Sequence, residues 1–385
     1  MSRAKLLILL VAVLLASCKQ QYNAPINTTS FLHDELFPGH LSVVVETGEQ
    51  VFAINDDMKK FVNRRVKTMD TQGGQIRELA EGIFRHSNTD LLYQNDANTV
   101  ATETFANQAA NCLSLTIMTY ALADYAGFGV NFQQIMIPEL WVRRDSTSLL
   151  NRHVNLKLYE KPKGTVVVVN RHDYEVDFNV LERKRRYPKR SITKERVLAM
   201  FYNNKGVDAL IDENYDMAYA YFKKGILTDA YLVDNYTNLG IMYRRLGYHD
   251  YAEQNYTLAL KIEPGDGTTL ENLAALYRAT GRHAEAVSIQ RELQNKRLNN
   301  PYYHYLLGEQ ALEKNELLMA RKHFRRAIGL HRTNHEFYFA MARTLYLLGD
   351  KTGTQRYLNL ARKHSETEQE ELHYAQKLNS FSQLQ

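Results

Sequence analysis

The chain has 385 residues, 44% hydrophobic and 24% charged, with a formal net charge of +5. These values are ordinary for globular protein and leave room for two domains or more, which excludes a disordered or fibrous chain. Arg3 and Lys5 lie in a segment expected to be removed, so the remaining surface is close to charge balance and no nucleic-acid partner follows from it.

Arg3 and Lys5 precede an apolar run from Leu6 to Leu15 that is too short to span a membrane and reads as a secretory signal. It ends in Leu15-Ala-Ser-Cys18, which resembles the lipobox of bacterial lipoproteins. The resemblance implies cleavage before Cys18 and lipidation of its sulfur and amino terminus, and several acyl chains together anchor stably. Lys19 follows where an inner-membrane retention signal would place aspartate, so the expected location is the outer membrane, facing the periplasm. A plain signal peptide with an incidental cysteine is the alternative. Residues 18–30 are polar and unpatterned, as suits a tether.

From Phe31 the chain should be structured. Apolar spacing predicts helices over 56–69 (Met58, Phe61, Val62, Val66) and 74–84 (Ile76, Leu79, Ile83). Residues 99–105 lead into a helix that starts at Cys112, is apolar on nearly all sides and is ended by Gly127 as a left-handed cap. With Cys18 lipidated, Cys112 is the one remaining thiol of an exported protein. It falls where unsatisfied backbone N–H groups and the positive end of the helix dipole favour a thiolate. A cysteine that simply fills a core is the competing reading.

After Gly127 the period becomes that of strands, at 130–137, 153–158, 165–169 and 174–178, with Lys161-Pro-Lys-Gly164 as a hairpin turn. Helices followed by antiparallel strands make an α+β domain, with the central helix packed on the sheet. The run 181–196 carries eight basic residues against Glu182 and Glu195 and reads as a solvated linker, with lipid headgroup binding as the alternative.

From Ala199 onward the sequence repeats every 34 residues. Gly206, Gly240, Ala274, Gly308 and Ala342 keep that spacing, as do Ala218, Ala252, Ala286 and Ala320. Small residues recur there because two helices of a hairpin approach closely. Tyr243, Tyr277, Phe222, Tyr256, Phe324 and Pro264 fill further positions of a pattern that resembles five tetratricopeptide repeats, 199–368, closed by a capping helix over 369–385. The third repeat departs most, with Ala274, Gln290 and Leu293 at motif positions, and the fifth has Thr354 in place of alanine. The resemblance implies an all-α superhelix whose first helices line a concave side. Arg244, Arg278, Tyr302, Tyr305, Phe339, Arg343 and Tyr346 are then expected to face an envelope protein or peptide, with Glu271, Glu309 and Glu313 mixing the charge.

A cysteine nucleophile needs a base and a group that orients the base. His153 at the start of one strand and Asp177 in another are the candidates, with Asp173 in the turn after Asn170 as runner-up. The blocks Glu103-Thr-Phe-Ala-Asn-Gln-Ala-Ala-Asn-Cys112-Leu-Ser-Leu115, Asn151-Arg-His-Val-Asn155 and Tyr174-Glu-Val-Asp-Phe-Asn179 resemble the three core blocks of the transglutaminase-like superfamily, in a bacterial branch fused to tetratricopeptide repeats. The resemblance covers 31–180 and implies a papain-like domain. In it Cys112 is the nucleophile, His153 the general base and acid, and Asp177 the group orienting the imidazole. Asn111 stands directly before Cys112, and Ala110 two before it, where many members have glycine, and Val154-Asn155 replaces an aromatic. Backbone N–H of Cys112, with Gln108 or Asn111, would hold an oxyanion, although a polar residue before a helix also serves as an N-cap.

His331 and His335 straddle a repeat boundary, and 212–216 opens like a calcium loop but has Met217 where glycine is needed and Lys223 where glutamate belongs. No metal and no cofactor are expected. Two functions compete: a cysteine-dependent amide hydrolase or acyltransferase, and an adaptor whose N-terminal domain is an inactive peptide-binding relic. The expected division is 1–17 signal peptide, 18–30 tether, 31–180 transglutaminase-like domain, 181–198 linker, 199–368 repeats and 369–385 cap.

Overall fold

The computed structural model describes residues 25–86, 92–93, 97–107, 109–135, 153–161, 173–176, 189–365 and 368–383. They fall into two compact units, one extending to Gly281 and the other running from Arg282. No described helix is long and apolar enough to cross a membrane.

The first unit opens with three short 3-10 turns, Thr28–Phe31, Asp34–Leu36 and Pro38–Ser42. Helix α1, Asp56–Phe61, is capped by Asn55 and continues as a π turn, Val62–Val66. After it come α2 (Gln72–His86), a two-residue strand β1 (Leu92–Tyr93), α3 (Ala101–Asn107) and strand β2 (Ala109–Ala110), which pairs in parallel with β1. Helix α4, Cys112–Ala126, starts at the Asn111 cap. It stops at Gly127, whose φ of 90° lets the N–H of Phe128 reach back to the carbonyl of Ala123 at 3.0 Å.

Strands β3 (Gly129–Ile135), β4 (Val154–Tyr159), β5 (Asp173–Val176) and β6 (Lys189–Ile192) make one antiparallel sheet in the order β5-β4-β3-β6. Three of the expected strands are therefore present, while 165–169 lies outside the described residues. The fourth strand corrects the C-terminal part of the linker reading of 181–198: Lys189–Ile192 pairs along β3 from Ile135 to Phe132 and a helix already begins at Lys194, while 181–188 lie outside the described residues. The reason is that ladder hydrogen bonds use the backbone. Three exposed polar side chains, Lys189, Arg190 and Ser191, suit a short strand at the edge of the sheet.

Helices α5 (Lys194–Ile211), α6 (Tyr215–Thr228), α7 (Val233–Arg245), α8 (His249–Ile262) and α9 (Gly267–Ala279) complete this unit. Its core is continuous. Met58, Val62, Ile76 and Leu79 of the early helical segments, Ile117 and Leu122 of α4, Leu156 and Val176 of the sheet, and Val197 and Phe201 of α5 belong to one buried cluster. The first repeat thus shares its core with the α+β part.

The second unit holds α10 (His283–Leu298), α11 (Pro301–Glu313), α12 (Leu317–Leu330), α13 (His335–Leu347), α14 (Lys351–Lys363) and α15 (Glu368–Gln383). Within the hairpins, glycine size is matched to aromatic bulk. A Cβ on Gly206, Gly240 or Gly308 would stand 2.5–2.6 Å from a ring carbon of Phe222, Tyr256 or Phe324. Where the first position is alanine, the second is not aromatic: Ala342 shares a buried cluster with Leu358, and Ala274 corresponds to the exposed Gln290.

Candidate functional site

Helix α4 starts under several locks. The Asn111 carboxamide oxygen accepts from the backbone N–H of Ser114 at 2.9 Å, and its Nδ2 donates to Oδ1 of Asn98 at 2.6 Å. Ser114 Oγ donates to the carbonyl of Ala97 at 2.9 Å and accepts from the N–H of Thr99 at 3.0 Å. Asn98 also accepts from Nδ2 of Asn204 at 3.1 Å and donates to Oδ2 of Asp208 at 2.7 Å, both on α5. Asn111 therefore serves as the N-cap, its amide tied to Asn98.

Cys112 and His153 are both buried, at 5% and 4% exposure. The Thr116 hydroxyl lies 2.8 Å from the carbonyl of Cys112 and 3.3 Å from that of Val154, so the start of α4 sits against the start of β4. The His153 carbonyl continues the ladder by accepting from the N–H of Ile135 at 2.8 Å. Asp177, Gln108 and Cys18 lie outside the described residues. Asp173, the runner-up orienter, is placed elsewhere. It sits opposite Tyr159 and pairs with Lys157 at 2.6 Å, roughly 20 Å along β4 from His153 at the usual rise per residue.

A cleft of about 610 Å³ opens between α2 and the end of the sheet, lined in part by Gly73, Gly74, Arg77, Glu160 and Tyr174; neither Cys112 nor His153 lines it. Among the described residues no group of three or more His, Cys, Asp or Glu is placed to hold a metal. His335 turns its Nδ1 to the Tyr374 hydroxyl at 2.7 Å, and His331 turns to Thr333.

The repeat residues divide by surroundings. Arg278 is exposed, and so is Tyr346, at 53%. Arg343 forms an ion pair with Glu309 at 3.3 Å, linking α13 to α11. Tyr302 and Tyr305 pack on Phe337, edge-on at 5.3 Å and stacked at 5.1 Å. Two expectations are corrected. Phe339 lies against His373 and Tyr374 of α15, because the last helix covers the face that a further repeat would otherwise cover. Arg244 is half-buried and faces its own repeat's Tyr256: burial pushes that phenol up to about 12 while the guanidinium pulls it down.

Two sets of residues escaped sequence reasoning. Asn204, Asn238 and Asn272 keep the same spacing of 34 as the glycines, a signal that was available. The contacts of Phe31, His33, Asp34 and Phe37 with the tyrosines of α6, α7 and α8 carry no sequence signal at all.

The tetratricopeptide repeat family model matches residues 233–266. No curated protein matches the chain. Among solved structures, PilF of Pseudomonas aeruginosa is 16% identical, covering 49% of this chain and 90% of that one with a TM-score of 0.27. MamA of Desulfovibrio magneticus RS-1 is 16% identical, covering 44% and 97%, with a TM-score of 0.25. YrrB, described as a tetratricopeptide-repeat protein with an unusual peptide-binding site, is 16% identical over 47% and 92%, with a TM-score of 0.24. Similarity at that level carries no argument about activity. The helix pairs, their 34-residue spacing and the family match at 233–266 together establish that the chain carries tetratricopeptide repeats.

Proposed function

We propose that the protein is a scaffold lipoprotein of the bacterial envelope, anchored through Cys18 and facing the periplasm, whose repeats hold a protein or peptide partner. In this reading the α+β part supports the first repeat rather than carrying out chemistry. The observation that carries the binding role is the run of repeat hairpins, in which Arg343, paired with Glu309, and the exposed Tyr346 stand on one face of α13. Arginine and tyrosine are efficient anchors because each presents a large planar surface with donors at its edge. Mixed charge on α11 and α13 suits a peptide with both signs better than a purely anionic ligand.

The experiment is affinity measurement with the full-length chain against peptides selected from an envelope peptide library. Arg343→Glu with Tyr346→Ala should weaken binding by about tenfold or more, equivalent to about 1.4 kcal/mol. Unchanged affinity would remove this face from the partner site.

One observation favours a second reading. Cys112 opens α4 and His153 directly precedes β4, and the Thr116 hydroxyl reaches the carbonyls of Cys112 and Val154, which supports pairing a thiol nucleophile with a base here. In that reading the Cys112 sulfur attacks an amide carbonyl carbon, and His153 takes the thiol proton and returns it to the leaving amine. Asp177 would orient the imidazole, and water or an amine would then cleave the thioester. Mass spectrometry of wild type against Cys112→Ala, after incubation with periplasmic peptides, decides it. An acyl adduct of wild type alone supports the chemistry, and full complementation by Cys112→Ala supports the scaffold.

A further inference from the structure

The segment that follows the tether is pinned to the repeats. The Tyr243 hydroxyl donates to the carbonyl of Phe31 at 3.3 Å, and the Phe31 ring meets Tyr236 edge-on at 5.9 Å. His33 stacks on Tyr251 at 3.6 Å and Phe37 on Tyr219 at 4.6 Å. The Asp34 carboxylate accepts from the Tyr219 hydroxyl and from Nζ of Lys223, each at 2.7 Å. His40 is buried with its Nδ1 2.7 Å from the carbonyl of Phe37. The attachment thus runs over α6, α7 and α8 and is made by rings and charges rather than by a loose loop.

Thr28 lies ten positions along the chain from Cys18. A fully extended chain of that length reaches at most about 36 Å. A lipid on Cys18 therefore keeps Thr28, and with it the adjoining rims of α7 and α8, within about that distance of the bilayer. The same pinned segment ends in Leu41 and Val44, exposed to 82% and 89%, the two most exposed large apolar side chains among the described residues. Held just beyond the buried His40, Leu41 has no apolar cover of its own.

We propose that residues 28–44 form a membrane-apposed surface and that Leu41 and Val44 enter the lipid interface. This rests on the lipoprotein reading. Anchoring alone would let the repeats take any orientation within reach of the tether. Two apolar side chains on a rigidly held segment turn the α6–α8 rim toward the bilayer instead. A partner would then meet repeat surfaces that point away from the lipid.

The test uses the full-length lipidated chain on phosphatidylethanolamine–phosphatidylglycerol vesicles. In a Cys112→Ser background, an environment-sensitive nitrobenzoxadiazole label is placed at Leu41→Cys, Val44→Cys and, as control, Lys363→Cys on α14. Lipids carrying a doxyl quencher should quench the first two labels several-fold more than the control, and aqueous iodide should show the reverse order. Equal quenching at all three, in chains that float with the vesicles, overturns the inference and leaves the anchor intact. Failure of the chain with Cys18 to float removes the lipoprotein reading itself. Shielding of positions 41 and 44 in the unlipidated Cys18→Ser chain free in solution marks a protein contact and also overturns the inference.

Discussion

Gly240→Ala is the sharpest probe of how the repeat hairpins are held. The added Cβ would stand 2.6 Å from Cε1 of Tyr256, a fully buried ring, and so about 1 Å inside ordinary carbon contact. Overpacking of that kind costs about 1–3 kcal/mol, while replacing a helical glycine by alanine returns about 1 kcal/mol of propensity. The net expectation is a loss of about 1 kcal/mol, read as a lower urea midpoint by circular dichroism. Ala342 with Leu358 gives the compensating arrangement within the same chain. Combining Gly240→Ala with Tyr256→Leu should therefore cost less than the sum of the two single changes, with a coupling of about 1 kcal/mol. A Gly240→Ala variant more stable than wild type, with additive behaviour in the double variant, would refute the argument that glycine is there to admit the ring.

In the second unit, Nε2 of His304 lies 3.0 Å from the Leu298 carbonyl, which can only accept, and its Nδ1 lies 3.4 Å from Nδ1 of His323. Burial, His304 and Lys322 hold His323 below the ordinary imidazole range. The folded chain therefore binds that proton less readily than the unfolded chain. This contribution is complete above the ordinary imidazole range and is lost as pH falls from there towards the lowered folded value. Urea midpoints at pH 7 and pH 5 should differ less in His323→Gln than in wild type, and equal differences would exclude this pair. Asn98→Ala removes the acceptor of Asn111 and a donor to Asp208 and should cost about 1–3 kcal/mol. Hydrogen exchange should rise in the first turn of α4 as well as in α5; a rise in α5 alone would show that Asn98 does not join them. Asp34 is pushed up by burial, but hydrogen bonds from Lys223 and Tyr219 outweigh this and hold its carboxyl below the usual range. The pinning it provides is therefore present above the usual carboxylate range and lost as pH falls through the lowered value. Asp34→Asn should speed proteolysis within 28–44 at neutral pH, and an unchanged rate would assign the attachment to the aromatic rings alone.

The repeats were legible because their signals are local or periodic. A small residue recurring every 34 residues and, in three of the five repeats, an aromatic at a fixed offset from it act within one hairpin, where sequence distance and spatial distance agree. The Asn111 cap and the Gly127 stop belong to the same kind, and they set the ends of α4 without reference to the rest of the chain. What only the tertiary structure decided involves partners far apart in sequence. Lys189–Ile192 becomes a strand because the β3 edge offers backbone groups, which hydropathy does not register. Phe339 meets α15 because a neighbouring helix chooses which side of a helix is covered. Asn98 gains meaning only when α4 and α5 converge on it. The tyrosines of α6, α7 and α8 read as repeat core until Phe31, His33 and Phe37 arrive on them from some two hundred residues upstream. Side-chain periodicity specifies which face of an element is apolar, and only the packed chain determines what covers it.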